Sequence, residues 1–131
     1  MRSKVLVVDD CESIREGIVL FLQREGFSAI GASNGAEALQ YLESGGRADV
    51  ILLDLLMPVM DGWTFRRAQL RDPWLADIPV VVMSVLEGRP VTGAYAVEAF
   101  RKPTDLKALL KTVGALCARV SPRARKTIPQ P

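Results

Sequence analysis

The sequence predicts an α/β domain built on a doubly wound, five-stranded parallel sheet. Two features of the chain predict it. Short, valine-rich runs alternate with segments of helical period, which is the pattern of repeated strand–helix–strand units. The most apolar run, Val50-Ile51-Leu52-Leu53, shows no polar alternation, as expected of a strand covered on both faces.

The elements follow in order. Lys4 to Val8 reads as the first strand and ends at Asp9-Asp10. Ile14, Ile18, Phe21 and Leu22 then lie on one helical face, with Ser13 as the expected N-cap and Gly26 where a glycine beyond the helix end belongs. Phe27 to Ala32 reads as the second strand. Asn34 and Glu37 form a capping-box pattern for a helix carrying Ala38, Leu39 and Leu42, which stops at Gly45-Gly46. The third strand runs up to Asp54, and Pro58 and Asp61-Gly62 mark a loop. A helix from about Trp63 to Arg71 ends before Pro73. Pro79 to Met83 is a fourth strand ending at Ser84. Gly88, Pro90 and Gly93 weaken any helix between Glu87 and Val97, so the fourth crossover helix is expected to be short, irregular or absent. Ala99 to Arg101 reads as a fifth strand, followed by a helix capped by Thr104 with Leu106, Leu109, Leu110, Val113 and Cys117 on its apolar face. Residues 1–120 are thus expected to form one domain, and 121–131, with three prolines and no period, a disordered basic tail.

Composition narrows the function. A length of 131 residues with 49% hydrophobic and 24% charged residues suits one globular domain with a single core. No apolar run approaches the roughly 20 residues that span a bilayer, and the N-terminal run is too short for a signal peptide. A cytoplasmic protein without a membrane partner is expected. The net charge is +2, but Arg123, Arg125 and Lys126 sit in the tail with no acid beside them. The remaining body is near neutral and gives no reason to expect a nucleic-acid partner. Histidine is absent, which excludes histidine-based catalysis and histidine metal sites. Cys11 and Cys117 have no metal or redox spacing and read as reduced thiols.

The chemistry lies where the strands stop. Asp9 and Asp10 end the first, Asp54 the third, Ser84 the fourth and Lys102 the fifth. In a parallel sheet these ends share one edge, where open α/β folds bind ligands. Three acids crowded together repel each other, and a small hard cation such as Mg²⁺ relieves them. A carboxylate can also attack phosphorus to give an aspartyl phosphate. Phosphoryl transfer then needs charge neutralisation on the equatorial oxygens. Lys102 supplies a point charge, the Ser84 hydroxyl a hydrogen bond, and Asp54, central in the set, is the nucleophile. Taken singly, the acid pair reads as a helix N-terminal feature, Ser84 as a structural hydroxyl and Lys102 as a surface lysine. Their coincidence at the strand ends is what the single readings leave unexplained.

Val7-Val8-Asp9-Asp10, the stretch Asp54-Leu55-Leu56-Met57-Pro58-Val59-Met60-Asp61-Gly62, Val82-Met83-Ser84 and Lys102-Pro103 together resemble the receiver domain of two-component response regulators, in the form of single-domain chemotaxis regulators. The likeness runs from about residue 3 to residue 120. It implies the flavodoxin-like strand order 2-1-3-4-5 and a sensor histidine kinase or histidine phosphotransferase as phosphoryl donor. It further implies that Asp10, Asp54 and the Leu56 carbonyl ligate Mg²⁺, with Asp9 binding directly or through water, and that Lys102-Pro103 is a cis peptide. Four features depart from the family. Ala99 stands where an aromatic switch residue is usual, and Val85 where a small residue is common. Ser84 and Lys102 are closer in sequence than usual, and no output domain follows.

The reading is a stand-alone, Mg²⁺-dependent phosphoacceptor, monomeric or weakly dimeric, that is not an enzyme but assists its own phosphorylation and dephosphorylation. It acts by contact with a downstream protein. One rival is a receiver-like interaction module that works without phosphorylation, which Ala99 and Val85 favour and the intact acid set opposes. Another is a phosphatase with an aspartyl-phosphate intermediate; those resemble an Asp-x-Asp motif after the first strand, whereas Asp9 and Asp10 are adjacent.

Overall fold

The computed structural model describes residues 2–84, 98–101 and 105–126. Among these residues there are five strands, β1 (Lys4–Val8), β2 (Ser28–Ala32), β3 (Val50–Asp54), β4 (Val80–Ser84) and β5 (Glu98–Arg101), and four helices. The helices are α1 (Glu12–Arg24), α2 (Gly35–Glu43), α3 (Gly62–Arg71) and α4 (Leu106–Lys126). The sheet has the order β2-β1-β3-β4-β5, and every neighbouring pair is parallel. This is the flavodoxin-like arrangement expected from the sequence. The expected irregular helix between β4 and β5 falls on residues 85–97, outside the described set, as do Lys102 and Pro103.

Both faces of the central strands are covered, which accounts for their unbroken apolar sequence. Leu6, Val8, Ile51, Leu53, Val80 and Val82 pack on one side with Ala38, Leu39 and Leu42 of α2 and Phe65 of α3. Val5, Val7, Val50, Leu52, Val81 and Met83 pack on the other with Ile18 and Leu22 of α1 and Leu109, Val113, Leu116 and Cys117 of α4. The two sets alternate along each strand, as the twofold period of side chains requires.

The helix ends follow local chemistry, with some corrections to the sequence reading. Gly26 (φ +97°) and Gly45 (φ +99°) close α1 and α2 in the left-handed region, where a side chain is strained. The Asn34 carboxamide oxygen accepts the Glu37 N–H at 2.9 Å. Glu37 reaches back to the Ser33 N–H at 2.8 Å, one residue before the position a capping box uses. The N-cap of α1 is Cys11, not Ser13. The Asp9 carboxylate accepts the Cys11 N–H at 2.9 Å and turns the chain into helix two residues early. Ile14, expected on the buried face, is 39% exposed; the buried face of α1 is made by Ile18 and Leu22. Asp61, expected to be only part of a turn, is the N-cap of α3 and accepts the Thr64 N–H at 2.8 Å. Asp105 accepts the Lys107 and Ala108 N–H groups at 3.0 and 3.2 Å and so does the capping expected of Thr104. Finally, α4 continues to Lys126, through the first half of the expected disordered tail. Arg123, Ala124, Arg125 and Lys126 are all good helix formers, and Pro122 forfeits one main-chain bond. Among the described residues, no helix is long and apolar enough to cross a membrane.

Candidate functional site

The register places the acids. Val8 is paired with Leu53, so the next residues, Asp9 and Asp54, leave neighbouring strands at the same edge. Asp10 follows in the turn to α1. Carboxylate oxygens of Asp9, Asp10 and Asp54 all lie within 4.8 Å of one another. Asp9 and Asp54 are buried and Asp10 is exposed. The three like charges repel one another, most strongly between the two buried members, Asp9 and Asp54. The set is all hard oxygen, with no thiolate or imidazole among its members, and it fits a small divalent cation of the Mg²⁺ type.

Asp9 is held by its main chain as well as its side chain. Its N–H donates to the Ala32 carbonyl at 3.1 Å, its carboxylate accepts from Cys11, and its carbonyl accepts from Arg15 Nη1 at 2.9 Å. Asp54 accepts the Leu56 N–H at 3.3 Å. The neighbouring Cys11 thiol has its pKa lowered from the ordinary value, chiefly by the Ser13 hydroxyl.

The loop from β3 to α3 positions Asp54. Leu55 and Met57 are buried in the α2–α3 side of the core, whereas Leu56 is exposed. The chain then reverses in a very tight turn. The Met60 N–H donates to the Pro58 carbonyl at 2.8 Å with Val59 between them at φ +70°, which is a γ-turn of the rare, strained hand. Its product is a fixed Met60, whose carbonyl accepts the Gly35 N–H at 3.0 Å and ties the loop to the start of α2. At the far end the Gly62 N–H donates to the Leu55 carbonyl at 2.9 Å. Gly62 sits so close to β3 that a Cβ there would lie 2.6 Å from the Asp54 carbonyl oxygen and 2.7 Å from the Leu55 Cα.

The structure therefore brings together Asp9, Asp10 and Asp54 of the residues expected from the sequence, with Leu56 two residues beyond Asp54. Ser84 ends β4 opposite Arg101, on the same edge as Asp54. Lys102 lies outside the described residues. Sequence reasoning missed Arg15, Gly35 and the turn at Val59. The sequence signals for them were an arginine in the first turn after the acid pair, a glycine directly after the Asn34 cap and a residue after proline with no backbone marking. An open groove lined by Ala36, Leu39, Gln40, Glu43, Ser44 and Met60 contains none of the clustered acids and plays no part in this chemistry.

Residues 5–114 match the response regulator receiver domain family. The chain is 34% identical over 142 residues to protein-glutamate methylesterase/protein-glutamine glutaminase 2 of Cereibacter sphaeroides, covering 99% of this chain and 37% of that protein. It spans about half the length of other curated relatives. Its structure is similar to the chemotaxis response regulator CheY4 of Vibrio cholerae, with a TM-score of 0.79 and 32% identity, over 88% of this chain and 99% of that one. It is likewise similar to the response regulator TrrA of Thermotoga maritima in complex with Mg²⁺-BeF, with a TM-score of 0.77 and 28% identity, over 87% and 98% of the two chains.

Two substitutions test the loop geometry by urea denaturation. Gly62→Ala places a methyl group against main-chain atoms that cannot move aside and is expected to destabilise by about 2 kcal/mol or more, although alanine is the better helix former. Val59→Gly removes left-handed strain of about 1–3 kcal/mol at an entropic cost of about 0.4–1 kcal/mol. A net gain of about 1 kcal/mol is expected, since the exposed valine side chain loses no packing.

Proposed function

The chain belongs to the receiver domain family of two-component response regulators, and we propose that Asp54 is its phosphoacceptor, loaded by a partner histidine kinase or histidine phosphotransferase. The observation that carries this reading is the convergence of the three carboxylates within 4.8 Å at the C-terminal edge of the sheet. Asp9, Asp10, Asp54 and the Leu56 carbonyl are the groups that hold Mg²⁺. When bound, the ion neutralises the crowded carboxylates and the incoming phosphoryl oxygens. Asp54 attacks the phosphorus of a phosphohistidine donor. A P–O bond forms, the P–N bond breaks, and the imidazole keeps the electron pair and takes a proton. The Ser84 hydroxyl and the Lys102 ammonium supply a hydrogen bond and a charge to the remaining oxygens.

In this reading the domain is a phosphoacceptor that assists its own phosphorylation and dephosphorylation rather than an enzyme acting on a separate substrate. It works in the cytoplasm, as a monomer or weak dimer, by contact with a downstream protein. Residues 1–120 form the receiver unit, and the basic, proline-containing stretch 121–131 follows it, its first part continuing α4 to Lys126. A module that works without phosphorylation is not favoured, because the acid set is complete and assembled.

Two outcomes are expected. Intact mass after incubation with acetyl phosphate and Mg²⁺ should show one acid-stable, base-labile phosphoryl group on the wild-type chain and none on Asp54→Asn; equal labelling of both would refute the assignment. Mg²⁺ at tenfold above its Kd should stabilise the wild type by about 1.4 kcal/mol, a rise in Tm of roughly 3–5 °C. Asp10→Ala and excess EDTA should each abolish that rise. A wild-type Tm indifferent to Mg²⁺ would show that the acids do not hold the ion.

A further inference from the structure

The Arg15 side chain reaches from α1 to the main chain of the acid pair. Long helical side chains lean towards the helix N-terminus, and Arg15 does so, placing Nη1 at 2.9 Å from the Asp9 carbonyl oxygen. That oxygen belongs to the peptide joining Asp9 to Asp10, so the contact fixes the orientation of the unit that carries both carboxylates. Asp10 is exposed, and its direction depends on the backbone beneath it.

Gly31 explains how the arginine gets there. It lies in β2 opposite Val7, and its backbone has no positive φ to require glycine. Glycine is a poor choice inside a strand on propensity alone. A Cβ at Gly31 would lie 2.9 Å from Arg15 Cδ, 3.0 Å from Cγ and 3.3 Å from Nε. The nearest atoms are therefore all the arginine stem, and the missing side chain of β2 is the track along which Arg15 runs.

We propose that Arg15, laid over Gly31, is a positioning residue for the metal site, holding the Asp9–Asp10 peptide so that both carboxylates face the ion. The inference rests on the metal-binding reading above. Partners that orient metal ligands without touching the metal typically change its affinity by about 10–100-fold when removed.

The test is an Mg²⁺ titration of the full chain, followed by backbone amide resonances, with Tm measured in the absence of Mg²⁺ as the control. Arg15→Ala should weaken Mg²⁺ binding about tenfold. Gly31→Ala keeps the arginine but blocks its track; it should weaken binding several-fold while leaving the metal-free Tm unchanged or higher, because alanine suits a strand better than glycine. The double variant should bind no more weakly than Arg15→Ala, since the methyl group then has no arginine to displace. Unchanged or tighter binding in either single variant would overturn the proposal, as would a Gly31→Ala effect that persists in the Arg15→Ala background. A wild-type chain that binds no Mg²⁺ would instead overturn the metal-binding reading itself.

Discussion

The constraint on which the rest depends is that β1 and β3 are adjacent strands with no exposed face. Val5 to Val8 and Val50 to Leu53 are fully buried, so neither strand can carry a polar side chain along its length without leaving it unsatisfied. Polar chemistry is pushed to the strand ends, and the parallel direction puts those ends on one edge. Three carboxylates then meet where helices do not cover the sheet. The repulsion among them is a stability cost that the packed layers on both faces have to carry, and it is also the source of the site's demand for a cation.

The loop after Asp54 shows how sequence is converted into placement. Leu55 and Met57 are anchors in the core, Pro58 and Val59 make the reversal, Met60 fastens the loop to α2, Asp61 caps α3, and Gly62 lets that helix start against β3. None of these residues is required to touch a ligand. Each is held by a neighbour, which is why the motif reads as a unit. Backbone strain at Val59 is confined to an exposed residue, so the surrounding hydrogen bonds can impose it without loss of packing.

Much of this was legible before any coordinates. The unbroken apolar run before Asp54 announced a doubly covered strand, Asn34 and Glu37 announced the start of α2, and Gly26 and Gly45 the ends of two helices. The acid cluster was legible because strand polarity alone places Asp9, Asp10 and Asp54 together. What escaped was governed by longer-range contacts. Ser13 had the better capping side chain, but the Asp9 carboxylate had already claimed the Cys11 amide. Asp105 lies next to Thr104, and residue type alone did not decide between two good caps. No local propensity marks Val59 as left-handed, because the bonds around it impose that turn. Arg15 and Gly31 are far apart in sequence, and neither is informative without the other.

The order of the strands also bears on how the chain is made. Within this sheet β1 is made before its neighbours, yet it is an interior strand and needs both β2 and β3 beside it. Its valine-rich segment must stay unpaired on one side until residues 50–54 have been synthesised. At about 5–20 residues per second, that wait lasts several seconds. Such a segment invites pairing with other nascent chains unless charges flank it. Lys4 stands at one end and Asp9-Asp10 at the other. The acids that assemble the site in the finished domain therefore also guard this apolar strand during translation.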